Sequence, residues 1–271
     1  KNKCILRQVL FAFFLFTFVY AFPQDSETTK RFINDDWFFK KGTPSDSLDK
    51  YNFKDDWEKI SIPHTFIPSG NESRHLKDDL LYKGVAWYKK SIFLESKLEN
   101  KRLFLHFDGA YAFTEVYLNG EKIGYHQGGY TAFSFEITNK VKFGANNYLN
   151  VKVNNSFRPD MNPLGGGYAK FGGITRPVSI ITKEDLCISP IHYSSTGVYC
   201  KQLDISTENA RLEIEVILNS ALKDGKYKLE CRVLDKNNKI VASNEKSGNI
   251  KQGKQWHENI PINILKPNLW N

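Results

Sequence analysis

Cysteine is scarce. There are four in 271 residues, and one of them, Cys4, lies in an N-terminal leader. The other three, Cys187, Cys200 and Cys231, lack the C-x-x-C spacing of a thiolate metal site, so no metal ligands and no cofactor are read from them. Three thiols allow at most one disulfide within the chain, and no pairing is indicated; the fold must rest on its apolar core. Runs of like charge are missing too. Lysines are scattered among acids with no five consecutive residues of one sign, which argues against a nucleic-acid-binding stripe. No ten-residue stretch has a convincing amphipathic helical period, which argues against helical architectures.

Long apolar runs are limited to residues 9–20 (Val-Leu-Phe-Ala-Phe-Phe-Leu-Phe-Thr-Phe-Val-Tyr). That run has the length of a signal-peptide core and falls short of the roughly 20 residues a spanning helix needs. Lys1, Lys3 and Arg7 precede it, and Val19 and Ala21 sit three and one residues before a cut after Ala21. Residues 1–21 are therefore expected to be a signal peptide and the protein to be secreted or periplasmic; the alternative is an uncleaved membrane anchor. The sequence opens on lysine, and an incomplete start is expected. Without Lys1, Lys3 and Arg7 the formal charge falls from +8 to +5.

Aromatic residues are plentiful: 14% of the chain, with 20 Phe and 13 Tyr, a bias that suits β-structure and carbohydrate-facing surfaces alike. The strongest local signal is residues 107–133. Thr114, Val116 and Leu118 alternate with Glu115 and Tyr117, and Asn119-Gly120 follows. Asn-Gly between alternating runs predicts a two-residue hairpin, because a type I′ turn needs positive φ at both central residues. The return strand starts around Ile123, and Gly128-Gly129 ends the ladder. This hairpin is expected at the structural centre of its domain, with Asn119-Gly120 fixing register.

Further strands are predicted at residues 37–39, 57–62, 85–94, 101–107, 133–137, 148–153 and 176–182. Pro63 stops the second of these, since it has no N–H to give. Residues 42–50, 67–81 and 156–173 read as loops. Short strands with turn signals between them predict an all-β fold, a jelly-roll β-sandwich over residues 22–184. From residue 185 the alternation resumes at 186–191, 210–218, 227–234 and 240–243, with a turn at Asp235-Lys236-Asn237-Asn238. That spacing predicts an immunoglobulin-like β-sandwich over residues 185–271. About seven strands over about 100 residues would be needed, and Trp270 is a large apolar residue beside the terminus. The second domain is therefore expected to be cut before its last strand.

Six segments, in this order, resemble the N-terminal sugar-binding domain of glycoside hydrolase family 2, the β-galactosidase, β-glucuronidase and β-mannosidase family. They are Ile62-Pro63-His64-Thr65-Phe66; Tyr82-Lys83-Gly84-Val85-Ala86-Trp87-Tyr88-Lys89-Lys90; Phe107-Asp108-Gly109; Val116-Tyr117-Leu118-Asn119-Gly120; Gly128-Gly129-Tyr130-Thr131-Ala132-Phe133; and Phe171-Gly172-Gly173-Ile174-Thr175-Arg176-Pro177-Val178. The second unit resembles the immunoglobulin-like domain that follows in that family, and the likeness covers about residues 31–271. The resemblance implies a (β/α)₈ barrel further on, about 250 residues long, that carries both catalytic glutamates. No catalytic residue is therefore expected in this chain.

The acidic pairs Asp35/Asp36, Asp55/Asp56 and Asp78/Asp79 read as turn or strand-end residues, since neighbours on a strand point to opposite faces. The family loop that reaches the barrel is matched by residues 154–164. Its sugar-binding aspartate falls on Asp160, which would accept hydroxyl hydrogen bonds from the terminal sugar or else merely cap its own turn after Pro159. Arg158 would orient Asp160 by a charge-assisted bond. The glycine-rich stretch Gly165-Gly166-Gly167-Tyr168-Ala169-Lys170 departs from the commoner family form. His64 reads as a structural strand-end residue. His106 and His126 have no Ser or Asp at triad spacing and are not read as catalytic. Tyr125, Tyr130 and Phe133 would make a sugar-stacking platform, but aromatics in a sandwich are more often core.

The resemblance thus implies an N-terminal fragment of a secreted, retaining, β-galactosidase-like glycosidase. Its partners would be a terminal β-linked sugar and the barrel of the same polypeptide, and a homo-oligomer is compatible with it. The alternatives are a complete, non-catalytic carbohydrate-binding β-sandwich protein and a purely structural pair of sandwiches.

Overall fold

The computed structural model describes residues 29–44, 56–66, 82–161 and 171–269. The leader 1–21, Asp55, Asp78, Asp79, the stretch 165–170 and Trp270 lie outside the described residues. Ten strands form a first sandwich. They are β1 (Thr29–Phe32), β2 (Trp37–Lys41), β3 (Glu58–Ile60), β4 (Val85–Leu94), β5 (Arg102–Phe107), β6 (Phe113–Leu118), β7 (Glu121–Gln127), β8 (Phe133–Glu136), β9 (Ala145–Asn154) and β10 (Val178–Lys183). One sheet runs β3-β2-β4-β9-β6-β7 and the other β1-β10-β5-β8, with antiparallel pairing throughout. From β4 onward the chain crosses repeatedly between the two sheets, the wiring of a jelly roll.

Alternation explains the core. Ala86, Tyr88, Ile92 and Leu94 of β4 and Leu149, Val151 and Val153 of β9 point inward. They meet Leu103, Leu105 and Phe107 of β5 and Val178 and Ile180 of β10 from the opposite sheet. The Asn119-Gly120 turn forms as predicted, with φ of 53° and 89°. Its position corrects the expectation of centrality: β7 is the edge of the six-stranded sheet, and the sheet's middle is β4 and β9. Asn119 still ties three segments together. Its side-chain amide donates to Lys140 O and Asn147 Oδ1, and its carbonyl oxygen accepts from the Tyr148 N–H.

A second β assembly follows: β11 (Cys187–Ile188), β12 (Val198–Ile205), β13 (Asn209–Asn219), β14 (Gly225–Leu234), β15 (Ile240–Ile250) and β16 (Gln255–Leu265). β13 is its axis, with β16 along one edge and β12 then β11 along the other. β14 and β15 form a separate hairpin that closes over Val216, Leu218, Ile260 and Ile262. Cys187, Cys200 and Cys231 are all free thiols.

Candidate functional site

The strand directions divide the first sandwich into two ends. β5, β7 and β9 finish, and β6, β8 and β10 begin, at the end opposite the Asn119-Gly120 turn. The loops there are stitched to one another by the backbone. Tyr111 and Gly173 exchange both hydrogen bonds at 2.9 and 3.0 Å, Phe66 N–H reaches Gly172 O, and Gly128 N–H reaches Ala112 O. Gly173 is required for this approach: its φ is +136°, and a Cβ would lie 2.4 Å from the His64 carbonyl oxygen.

Asp160 sits on the loop that leaves β9. Arg158 Nε donates to its Oδ1 at 3.0 Å and Arg158 Nη2 to its Oδ2 at 2.9 Å. Gln127, the last residue of β7, donates Nε2 to Oδ2 at 2.9 Å. Arg158 and then Gln127 draw the Asp160 pKa down to about 2. The guanidinium of Arg158 lies over the Phe113 ring at 5.0 Å, and Phe113 pairs with both Gln127 and Asn154 in the sheet. The loop is therefore folded back on the base of the β6–β7 hairpin, and an exposed carboxylate is held by two side chains. Three bonds to the carboxylate come from side chains, two from Arg158 and one from Gln127, and its own backbone N–H adds a further favourable interaction.

Arg158 thus meets Asp160 as the sequence suggests, whereas Gln127 is a partner that sequence reasoning missed. A one-residue register shift between Val116 and Tyr117 separates Gln127 from the position simple counting from the turn would give it.

The histidines divide differently from expectation. His64 donates or accepts through Nδ1 to Tyr88 OH at 2.9 Å and packs on Phe39. These contacts tie the ring to the aromatic core of the first sandwich. His106 does have a serine and an aspartate beside it, which corrects the reading from spacing. Ser134 Oγ lies 2.7 Å from Nδ1 and Asp108 Oδ1 lies 2.7 Å from Nε2. Strand pairing supplies the serine, since His106 and Ser134 are opposite each other on β5 and β8. The ring is buried, so both nitrogens need partners, and the set satisfies them across the sheet. His126 stacks on Phe133 at 4.3 Å. Phe133 is core, but Tyr125 and Tyr130 are exposed, contrary to the core assignment. Among the described residues no three His, Cys, Asp or Glu side chains are grouped as metal ligands.

Fold and site together define a β-sandwich module with a fixed carboxylate at one loop end, followed by a smaller sandwich. The comparisons with known proteins give the family. Residues 76–184 match the family model for the glycosyl hydrolases family 2 sugar binding domain, and that stretch of the chain belongs to the family. A β-glucuronidase of Bacteroides fragilis is 33% identical over 259 residues, 95% of this chain and 35% of that enzyme. A β-galactosidase of Thermoanaerobacterium thermosulfurigenes is 32% identical over 219 residues, 79% of this chain and 29% of that enzyme. The crystal structure of a Bacteroides uniformis β-glucuronidase superposes with a TM-score of 0.83 at 29% identity, over 90% of this chain and 29% of that one. The chain spans about a third of the length of the curated relatives it matches.

Proposed function

We propose that this chain is the N-terminal part of an exported, retaining β-glycosidase, and that Asp160 helps to hold the terminal sugar of its substrate. Family membership and the partial span of the relatives support the first point. The observation that carries the second is the braced carboxylate: Arg158 and Gln127 fix both oxygens of Asp160 on an exposed loop. Chemistry would belong to two carboxyl groups about 5–5.5 Å apart in a barrel outside this chain. The basic, apolar leader supports export.

Relatives named for β-glucuronides and for β-galactosides both occur. The Arg158–Asp160 pair is balanced in charge and has no excess of positive charge to draw a uronate. It suits a neutral sugar whose hydroxyl donates to the carboxylate, so the proposed substrate class is the β-galactoside. The test assays the enzyme read from the full gene on aryl β-galactosides and aryl β-glucuronides. A preference of about 100-fold in kcat/KM for the galactoside is expected, and the reverse preference overturns the substrate reading. Residues 22–271 alone are expected to hydrolyse neither; turnover by them above the buffer rate overturns the placement of catalysis.

A further inference from the structure

The outer face of β6, β7 and β9 carries a charged cluster beside Asp160. Val116 and Leu118 of β6 point into the core, so Phe113 and Glu115 point outward. Residues paired across strands share a face, and two transverse rows therefore lie side by side. The first is Gln127, Phe113 and Asn154, and its Gln127 holds Asp160. The second is Tyr125, Glu115 and Lys152, two residues or about 7 Å along the strands from the first. Tyr125 is 62% exposed and lies 5.8 Å from the Phe113 ring. Lys152 Nζ meets one oxygen of Glu115 at 2.8 Å, and Lys122 Nζ bonds the other. The Glu115 side chain is 12% exposed, against 43% for Lys122 and 32% for Lys152. The carboxylate thus lies beneath two ammonium groups, and positive charge is in excess at the surface. Each ammonium has three donors; one goes to Glu115 and the others are left for a ligand. Lys122 Nζ also stands 5.9 Å from the centre of the Tyr125 ring, so charge and aromatic surface are contiguous.

We propose that this second row binds the unit next to the terminal sugar in an oligosaccharide substrate, and that this unit is acidic. Its ring lies against Tyr125, and its sulfate ester or carboxylate meets Lys122 and Lys152. The inference rests on the reading of Asp160 as a holder of the terminal sugar. The two rows make different demands. The Arg158–Asp160 pair is balanced and suits a neutral unit; the row beside it has two ammonium groups to one carboxylate and suits an anion. An exposed aromatic ring offers the apolar face that a pyranose ring covers. The formal charge of the chain, +8, favours encounter with an acidic polysaccharide.

The test uses the enzyme read from the full gene and three β-linked disaccharides with a common terminal galactose. The second unit is neutral, sulfated or a uronate. In dilute buffer kcat/KM is expected to be about tenfold higher for an acidic second unit than for the neutral one, and the ratio is expected to approach unity in about 1 M salt. A gain confined to the sulfate or to the uronate identifies which anion is bound. Replacing both lysines, Lys122→Gln with Lys152→Gln, is expected to abolish the preference and to leave the neutral disaccharide unchanged. Glu115→Gln is expected to widen the preference, because the opposing charge is removed. Equal rates for acidic and neutral units overturn the proposal, as does a preference that survives loss of both lysines. Equal losses on all three substrates in the lysine and Glu115→Gln variants mean a purely structural cluster and also overturn it. A matching series with terminal glucuronic acid runs beside the first. Activity in that series alone overturns the terminal-sugar reading, and the ratio between second units is then read there.

Discussion

Arg102 and Glu136 form a two-pronged pair on the outer face of the four-stranded sheet. Arg102 Nε donates to Glu136 Oε1 at 2.8 Å and Nη2 to Oε2 at 2.7 Å. The third nitrogen leaves the first sandwich altogether: Nη1 reaches Asp185 O at 3.1 Å, Cys187 Sγ at 3.5 Å and Asn219 O at 3.4 Å. The side chain is 2% exposed and lies over the Phe104 ring. Asp185 in turn accepts from Ser220 Oγ and from the N–H groups of Ala221, Leu222 and Lys223, which fixes the turn between β13 and β14. One guanidinium therefore joins the two sandwiches at the end away from Asp160.

Replacing Arg102 by methionine removes the guanidinium partner of Glu136 and the donor that reaches Asp185 O, Cys187 Sγ and Asn219 O. Breaking such a buried pair costs about 3 kcal/mol, and urea unfolding is expected to show a loss of that size. Lysine is not a substitute, because it lacks the planar fork. A double-mutant cycle with Glu136→Gln measures the coupling; a value near zero means the pair is incidental.

Gly173→Ala is expected to be severe. The new Cβ would meet the His64 carbonyl oxygen at 2.4 Å and Thr65 Cα at 2.9 Å, at a φ of +136°. Neither contact is the end of a flexible side chain, so the cost is expected to exceed about 2 kcal/mol. Gly253→Ala is the control: its φ is +69° with nothing within 4 Å, and only about 1 kcal/mol of left-handed strain is expected. Equal changes in thermal midpoint for the two variants contradict this account.

Three histidines make the first sandwich sensitive to mild acid. Burial lowers the pKa of His64, His106 and His126 from the ordinary 6.5, with Asp108 partly opposing it at His106. The folded state therefore prefers the neutral rings, and unfolding takes up protons below 6.5. Their contribution is fully present above that pH and is lost as pH falls through the folded values. The urea midpoint is expected to be flat from pH 8 to 7 and to decline from pH 6.5 to 5. A midpoint that holds at pH 5 rejects the prediction.

How far the sequence could be read depends on where each signal resides. β4 was legible at both ends, because its ten residues contain no glycine or proline and Gly84 precedes them. β12 and β16 were not. β12 lies at an edge with both faces exposed and carries a register shift between Gln202 and Asp204, so its alternation is lost. β16 contains Pro261, which argues against a strand unless it lies at an edge, as it does here. Asp160 and Arg158 are two residues apart, and their ion pair was legible. Gln127 and Ser134 come to their partners through strand register, across 33 and 28 residues, and no local pattern carries that information.

The state of Asp160 gives the most direct test of the site. Its pKa is lowered to about 2, first by the hydrogen bonds from Arg158 and then by that from Gln127. A depressed carboxyl keeps its charge above that value and loses it only as pH falls through it, so at any ordinary working pH Asp160 can accept a hydrogen bond but not donate one. On the proposed reading, the sugar group that meets it would then be a donor, a hydroxyl. Carbon-13 NMR titration of the side-chain carboxyl is expected to give a midpoint near the low value in this chain. Arg158→Gln is expected to move the midpoint up towards 3.8, and Gln127→Leu to move it less in the same direction. If Gln127→Leu has the larger effect, β7 rather than Arg158 governs the carboxylate, and the order of the two interactions is reversed. A midpoint near 3.8 in the unaltered chain means that neither bond persists in solution, and the braced carboxylate that supports sugar recognition is then absent.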